Sequence, residues 1–190
     1  MCGIVAYIGT KDPLPIILEG LKRLEYRGYD SAGIFISNSK INEVTKTAGK
    51  VSKLKKVLQN KPDISPTIGM GHTRWATHGE PNNINAHPHE SNSGELTLIH
   101  NGIIENYDVL KQELIKRGYK FYSDTDSEVL VNLIEDIQKK EQIKLGKALR
   151  IALNQVVGAY GVVVFDSKKP NEIIAARLGS PLAIGLGNNE

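Results

Sequence analysis

The chain has 190 residues, enough for one domain with a substantial core, and its 40% hydrophobic and 24% charged content is that of a soluble globular protein. Lys and Arg number 24 against 21 Asp and Glu, a net charge of +3 spread along the chain, and without a basic stripe and interleaved aromatics no nucleic-acid partner is expected. One cysteine excludes an internal disulfide framework and a CxxC metal motif; no signal peptide and no apolar run of about 20 residues appear, so no membrane contact and a cytoplasmic location are expected.

In chain order, Ile4 to Ile8 reads as a short apolar strand suited to the middle of a covered sheet. After Pro13 and Pro15, Ile17, Leu21 and Leu24 follow helical spacing until Arg27-Gly28. Ala32 to Ile36 and Ile41 to Thr47 form two strands around the turn-forming Ser37-Asn38-Ser39, and Val51 to Leu58 a short amphipathic helix. Ile68 to Gly71 and Leu96 to Ile99 are further strands. Between them, residues 72–95 are polar and nearly aperiodic, and loops of that length are often functional. Helices are predicted over Glu105 to Arg117, from a Thr125/Glu128 capping box, and over Leu145 to Val156. Strands follow near Tyr160–Phe165, Ile173–Ala176 and Leu182–Ile184. Strands in pairs interrupted by helical blocks predict an α+β protein with antiparallel sheets covered by helices. The polar end after Ile184 reads as a possible truncation point.

Four places carry candidate chemistry. Cys2 is the only thiol, and once Met1 is removed its own α-amine, of pKa about 8, is a base beside a nucleophile. In the loop from His72 to Gly79, Arg74 is suited to a bidentate grip on a carboxylate and Trp75 to walling a pocket, although an anchoring Trp and a surface ion pair fit the same residues. His100-Asn101-Gly102 follows an apolar strand. There the Asn101 amide and the Gly102 N–H suit an oxyanion, while Asn-Gly also marks an ordinary turn. Asp126 is either a first-turn acid or a receptor for a substrate ammonium. The five histidines lack HExxH spacing, and a metal would leave Cys2, Arg74 and Asn101 without a task, so no metal and no cofactor are expected.

Cys2-Gly3-Ile4-Val5, Leu24 through Gly33, His72 through Gly79, Asn85 through His89, His100 through Asn106 and Thr125 through Glu128 run in a familiar order over nearly the whole chain. Together they resemble the glutaminase domains of the N-terminal-nucleophile, or class II, glutamine amidotransferases. The Tyr26–Gly33 and His72–Gly79 blocks are most similar to those of the isomerising glutamine–fructose-6-phosphate aminotransferases, the glucosamine-6-phosphate synthases. The resemblance implies a four-layer αββα sandwich of the N-terminal-nucleophile hydrolase type, with Cys2 at the end of a central strand. It implies that Cys2 attacks the side-chain amide of L-glutamine and releases ammonia, and that water hydrolyses the resulting thioester. Asn101 and Gly102 take the oxyanion role, Arg74 the α-carboxylate and Asp126 the α-ammonium. Thr77 and His78 take pocket-wall roles, and Trp75 helps close the site.

It further implies that residues 1–190 are one glutaminase domain lacking its last strands. In the whole enzyme, C-terminal sugar-isomerase domains receive the ammonia to turn fructose 6-phosphate into glucosamine 6-phosphate, and the enzyme is expected to be a homodimer. Two rivals stand beside this reading: another class II amidotransferase, such as asparagine synthetase or amidophosphoribosyltransferase, and a non-catalytic domain that senses glutamine with an unreactive thiol. The two discriminating blocks favour the aminosugar enzyme over the first. The joint presence of Cys2, Arg74, Asn101, Gly102 and Asp126 disfavours the second.

Overall fold

A computed structural model describes residues 2–38, 40–62, 64–77 and 79–190. Among these residues eight strands build two antiparallel sheets. The first has the order β1 (Gly3–Ile8), β4 (Ile68–Arg74), β2 (Ser31–Ser37), β3 (Asn42–Ala48). The second has the order β5 (His89–Glu90), β6 (Leu96–Gly102), β7 (Tyr160–Asp166), β8 (Ile173–Leu178). Helices α1 (Pro13–Leu24) and α2 (Val51–Leu58) cover the first sheet, while α3 (Tyr107–Lys116), α4 (Asp126–Glu141) and α5 (Leu145–Leu153) cover the second.

Three apolar layers account for this stacking. Ile17, Leu21, Leu54 and Leu58 of the outer helices meet Ala32, Ile34 and Ile36 of β2. Phe35, Ile68 and Met70 face Ile99, Val163 and Phe165 between the sheets, with the Phe35 and Phe165 rings 4.7 Å apart. Val129, Leu130, Leu133 and Ile134 of α4 pack on Leu96, Leu98, Val162 and Val164. Alternate residues of one strand serve opposite layers because strand side chains alternate with period two. The result is the expected αββα sandwich. Helix α1 lies directly on β4, where a Cβ at Gly69 or Gly71 would come within 2.4 Å of Ile17.

Two expectations are corrected. Among the described residues β1 is an edge strand, bonded to β4 alone, and not a central one. Its apolar run reflects partial burial on both faces, with Val5 and Tyr7 packed toward the outer helices and Ile4 and Ile8 toward the second sheet, and apolar contact on two faces does not require two ladder neighbours. Residues Leu182–Ile184 form no strand, and Leu182 and Ile184 are 43% and 75% exposed. Their β-prone composition finds no ladder to join. Among the described residues no helix is long and apolar enough to cross a membrane.

Candidate active site

The polar ends of three strands and the start of α4 converge. Pairing of Gly3 with Thr73 sets the start of β1 beside the end of β4, so Cys2 meets the segment that follows Arg74. The Trp75 N–H donates to Cys2 Sγ at 3.2 Å, and the thiol faces the Trp75 carbonyl at 3.6 Å. The Gly3 N–H donates to Thr73 Oγ1 at 3.2 Å. Burial pushes the Cys2 thiol pKa up, with the Asp30 charge adding to it; the Trp75 N–H and the Arg74 charge pull the other way. The resting group is therefore a thiol, and attack by it requires a base.

Strand β6 carries its ladder past the apolar residues to Gly102, opposite Tyr160. Alternation then sends His100 and Asn101 to opposite faces. His100 Nδ1 lies 2.9 Å from Ser127 Oγ on α4, whereas Asn101 Nδ2 donates to the Cys2 carbonyl at 3.0 Å, on the side of the first sheet. Gly102 has φ +142°, and a Cβ there would stand 2.0 Å from the Ala159 carbonyl oxygen, so glycine is required at this bend.

Arg74 is 4% exposed, and its guanidinium donates to the carbonyls of Gly79 at 3.1 Å and Glu80 at 3.3 Å. Asn85 continues this frame, donating to Glu80 O and Asp124 Oδ2 at 3.1 Å each and accepting from the Asp124 N–H at 3.0 Å. The loop that Arg74 holds is thereby tied to the start of α4. Thr125 caps that helix by accepting the Glu128 N–H at 3.3 Å. Buried Asp126 follows, its Oδ2 accepting the Ile104 N–H at 2.8 Å, two residues beyond Gly102. Trp75 is 49% exposed and meets Tyr29 edge-on at 5.7 Å. Thr77 is exposed, and His78 lies outside the described residues.

Sequence reasoning assigned no separate role to several residues that shape this site. Asp30 accepts the Ala76 N–H, and Lys46 donates to Pro88 O at 2.9 Å and Ile84 O at 3.3 Å. Lys46 is held by burial at a pKa of about 8. His72, His87, His89 and His100 are all buried; the rings of His72 and His87 are 4.1 Å apart and those of His87 and His89 4.6 Å. Burial, more than mutual repulsion, depresses the pKa values of His72, His87 and His89, that of His72 to about 3. Despite this gathering, no group of three or more His, Cys, Asp or Glu among the described residues is arranged to hold a metal ion. The sequence signal for Asp30 and His72 is their place inside the two discriminating blocks, with His72 also among the five histidines weighed as metal ligands.

A thiol, an amide donor, a buried guanidinium and a buried carboxylate at one end of an αββα sandwich suit attack on a small amide that bears an ammonium and a carboxylate. A sequence profile described as glutamine amidotransferase domain matches residues 59–186. The chain belongs to that family. The isomerizing glutamine–fructose-6-phosphate aminotransferase of Bacteroides thetaiotaomicron is 56% identical over 191 positions, covering 100% of this chain and 31% of the relative. That of Chlorobaculum tepidum is 54% identical over 193 positions, with the same coverage of each. This amidotransferase domain thus spans about a third of the curated relatives it matches. Among solved structures, glutamine phosphoribosylpyrophosphate amidotransferase from B. subtilis superposes with a TM-score of 0.76 at 26% identity, over 93% of this chain and 37% of that one.

Proposed function

We propose that this domain hydrolyses L-glutamine to glutamate and ammonia, with Cys2 as nucleophile and, after loss of Met1, the Cys2 α-amine as base. The sulfur attacks the side-chain amide carbon while the amine takes the thiol proton. Asn101 and the Gly102 N–H stabilise the oxyanion. The protonated amine then delivers its proton to the departing nitrogen as the C–N bond breaks, leaving a γ-glutamyl thioester. Water attacks that thioester, the amine takes the water's proton, and the sulfur leaves and is reprotonated. Arg74 pairs with the α-carboxylate and Asp126 with the α-ammonium; Thr77 and His78 wall the pocket, and Trp75 helps close it.

The observation that carries this reading is the Asn101 amide docked on the Cys2 carbonyl at 3.0 Å, which sets a hydrogen-bond donor beside the only thiol. In the longer protein the ammonia goes to fructose 6-phosphate in C-terminal isomerase domains and forms glucosamine 6-phosphate, the whole acting as a cytoplasmic homodimer. The relatives' names, isomerizing glutamine–fructose-6-phosphate aminotransferases, support the transfer to fructose 6-phosphate in that extension. To test the nucleophile, processed protein is mixed with glutamine, quenched in acid and digested. A γ-glutamyl adduct on the Cys2 peptide, absent from Cys2→Ala, is expected. Glutamate release by Cys2→Ala at the parent rate contradicts the reading.

A further inference from the structure

The Asn101 carboxamide has one orientation that fits its surroundings. On one side stands the Cys2 carbonyl, which only accepts, 3.0 Å from Nδ2. On the other, His72 Nε2 lies 2.8 Å from Oδ1 and 3.1 Å from the His100 carbonyl oxygen. A backbone carbonyl cannot donate, so Nε2 carries the proton and shares it between the two oxygens. Turning the amide over would set N–H against N–H at His72 and oxygen against oxygen at Cys2. We propose that His72 is a positioning residue, whose Nε2–H locks the Asn101 amide so that one N–H grips the Cys2 carbonyl and the other serves the oxyanion. This role rests on the reading of Cys2 as nucleophile.

The surroundings of His72 suit a fixed donor and no other task. The ring is fully buried on β4, and the buried His87 ring lies against it. Its Nδ1 is buried without a hydrogen-bond partner among the described residues, which matches a neutral ring protonated on Nε2. Burial lowers its pKa to about 3, so the ring stays neutral at any working pH, while the two oxygens at Nε2 set which nitrogen carries the proton. The device is a relay of orientation: histidine fixes amide, and amide meets the reacting centre.

The test is a double-mutant cycle with glutamine hydrolysis as readout. His72→Phe keeps a planar ring and loses the donor. It should lower kcat by roughly 10- to 100-fold, the cost of a donor displaced by about 1 Å, with KM nearly unchanged. His72→Gln, whose amide reaches the Nε2 position, should recover most of that loss. In an Asn101→Ala background, His72→Phe should have almost no further effect, because the group it positions is gone. Alkylation of Cys2 by iodoacetamide, which forms no oxyanion, should proceed at the parent rate in His72→Phe. Should that variant not fold, His72→Gln and His72→Asn carry the comparison, since the shorter Asn amide stops at the Nδ1 position and should behave as donorless. Additive losses in the cycle, or a KM rise with kcat intact, overturn the proposal. If Cys2→Ala is inactive while His72→Phe matches the parent, this proposal alone fails; activity in Cys2→Ala brings down the nucleophile reading and this one with it.

Discussion

Removing the Arg74 guanidinium tests the substrate pocket, and the structure sets the size of the effect. The group is 4% exposed and held on two backbone carbonyls, those of Gly79 and Glu80, at 3.1 and 3.3 Å. A glutamine or glutamate carboxylate would be met by a planar fork whose charge is already shielded from water. Each charge-assisted hydrogen bond contributes about 1.5–3 kcal/mol, but engaging the carboxylate weakens the bonds to the loop carbonyls. The net loss in Arg74→Ala should be about 2–4 kcal/mol, roughly 30- to 1,000-fold in the Kd for glutamate. Arg74→Lys restores charge without the fork and should fall between. The assay is calorimetric titration of glutamate into parent and variants, after circular dichroism has confirmed the fold. Unchanged glutamate affinity in a folded Arg74→Ala would refute the reasoning and leave Arg74 as a brace for the 79–80 loop.

Gly102→Ala puts a methyl group 2.0 Å from the Ala159 carbonyl in a backbone conformation that L side chains rarely adopt; it should cost about 2–4 kcal/mol in urea unfolding and suppress glutaminase activity, and near-parent stability would contradict the geometry. Lys46 titrates near 8 when folded against 10.5 when free, so between those values the unfolded chain binds more protons and stability rises with pH. Denaturation of the parent relative to Lys46→Met should accordingly show a parent that gains from about pH 8 toward 10.5, whereas a flat difference would mean that the amine is not buried in solution.

The sequence made the apolar parts of the fold legible and lost track of it where the site begins. Val51–Leu58 is found at the residues its spacing predicts, because one amphipathic stripe meets one sheet. The expected ends of β4 and β6, at Gly71 and Ile99, fall three residues short of Arg74 and Gly102. The missing residues are His72, Thr73, Arg74, His100, Asn101 and Gly102: the ladder continues, but the side chains serve a polar site, so hydropathy alone reads them as loop. Strand β5 has two residues, too few for alternation to register. At Thr125 the cap forms as predicted on one side only. Glu128 turns to the N–H groups of Tyr122 and Ser123, and the Thr125 N–H goes instead to Ser123 Oγ at 3.3 Å. The His72–Asn101 contact joins residues 29 apart across two sheets, a pairing that local pattern does not encode.

The central claim, that Cys2 works as the first residue with its own amine as base, is tested most directly by comparing two samples that differ only at Met1. Each is verified by intact mass and by circular dichroism, then assayed for glutamate release from glutamine. With Met1 attached, the nitrogen of Cys2 is an amide and cannot accept a proton near neutral pH. An added residue on that nitrogen would also crowd the approach of the substrate amide, and a misplacement of about 1 Å can cost roughly 10²-fold. The processed sample should turn glutamine over, and the sample that retains Met1 should not. Equal turnover by both would contradict the account and remove the Cys2 amine from the mechanism.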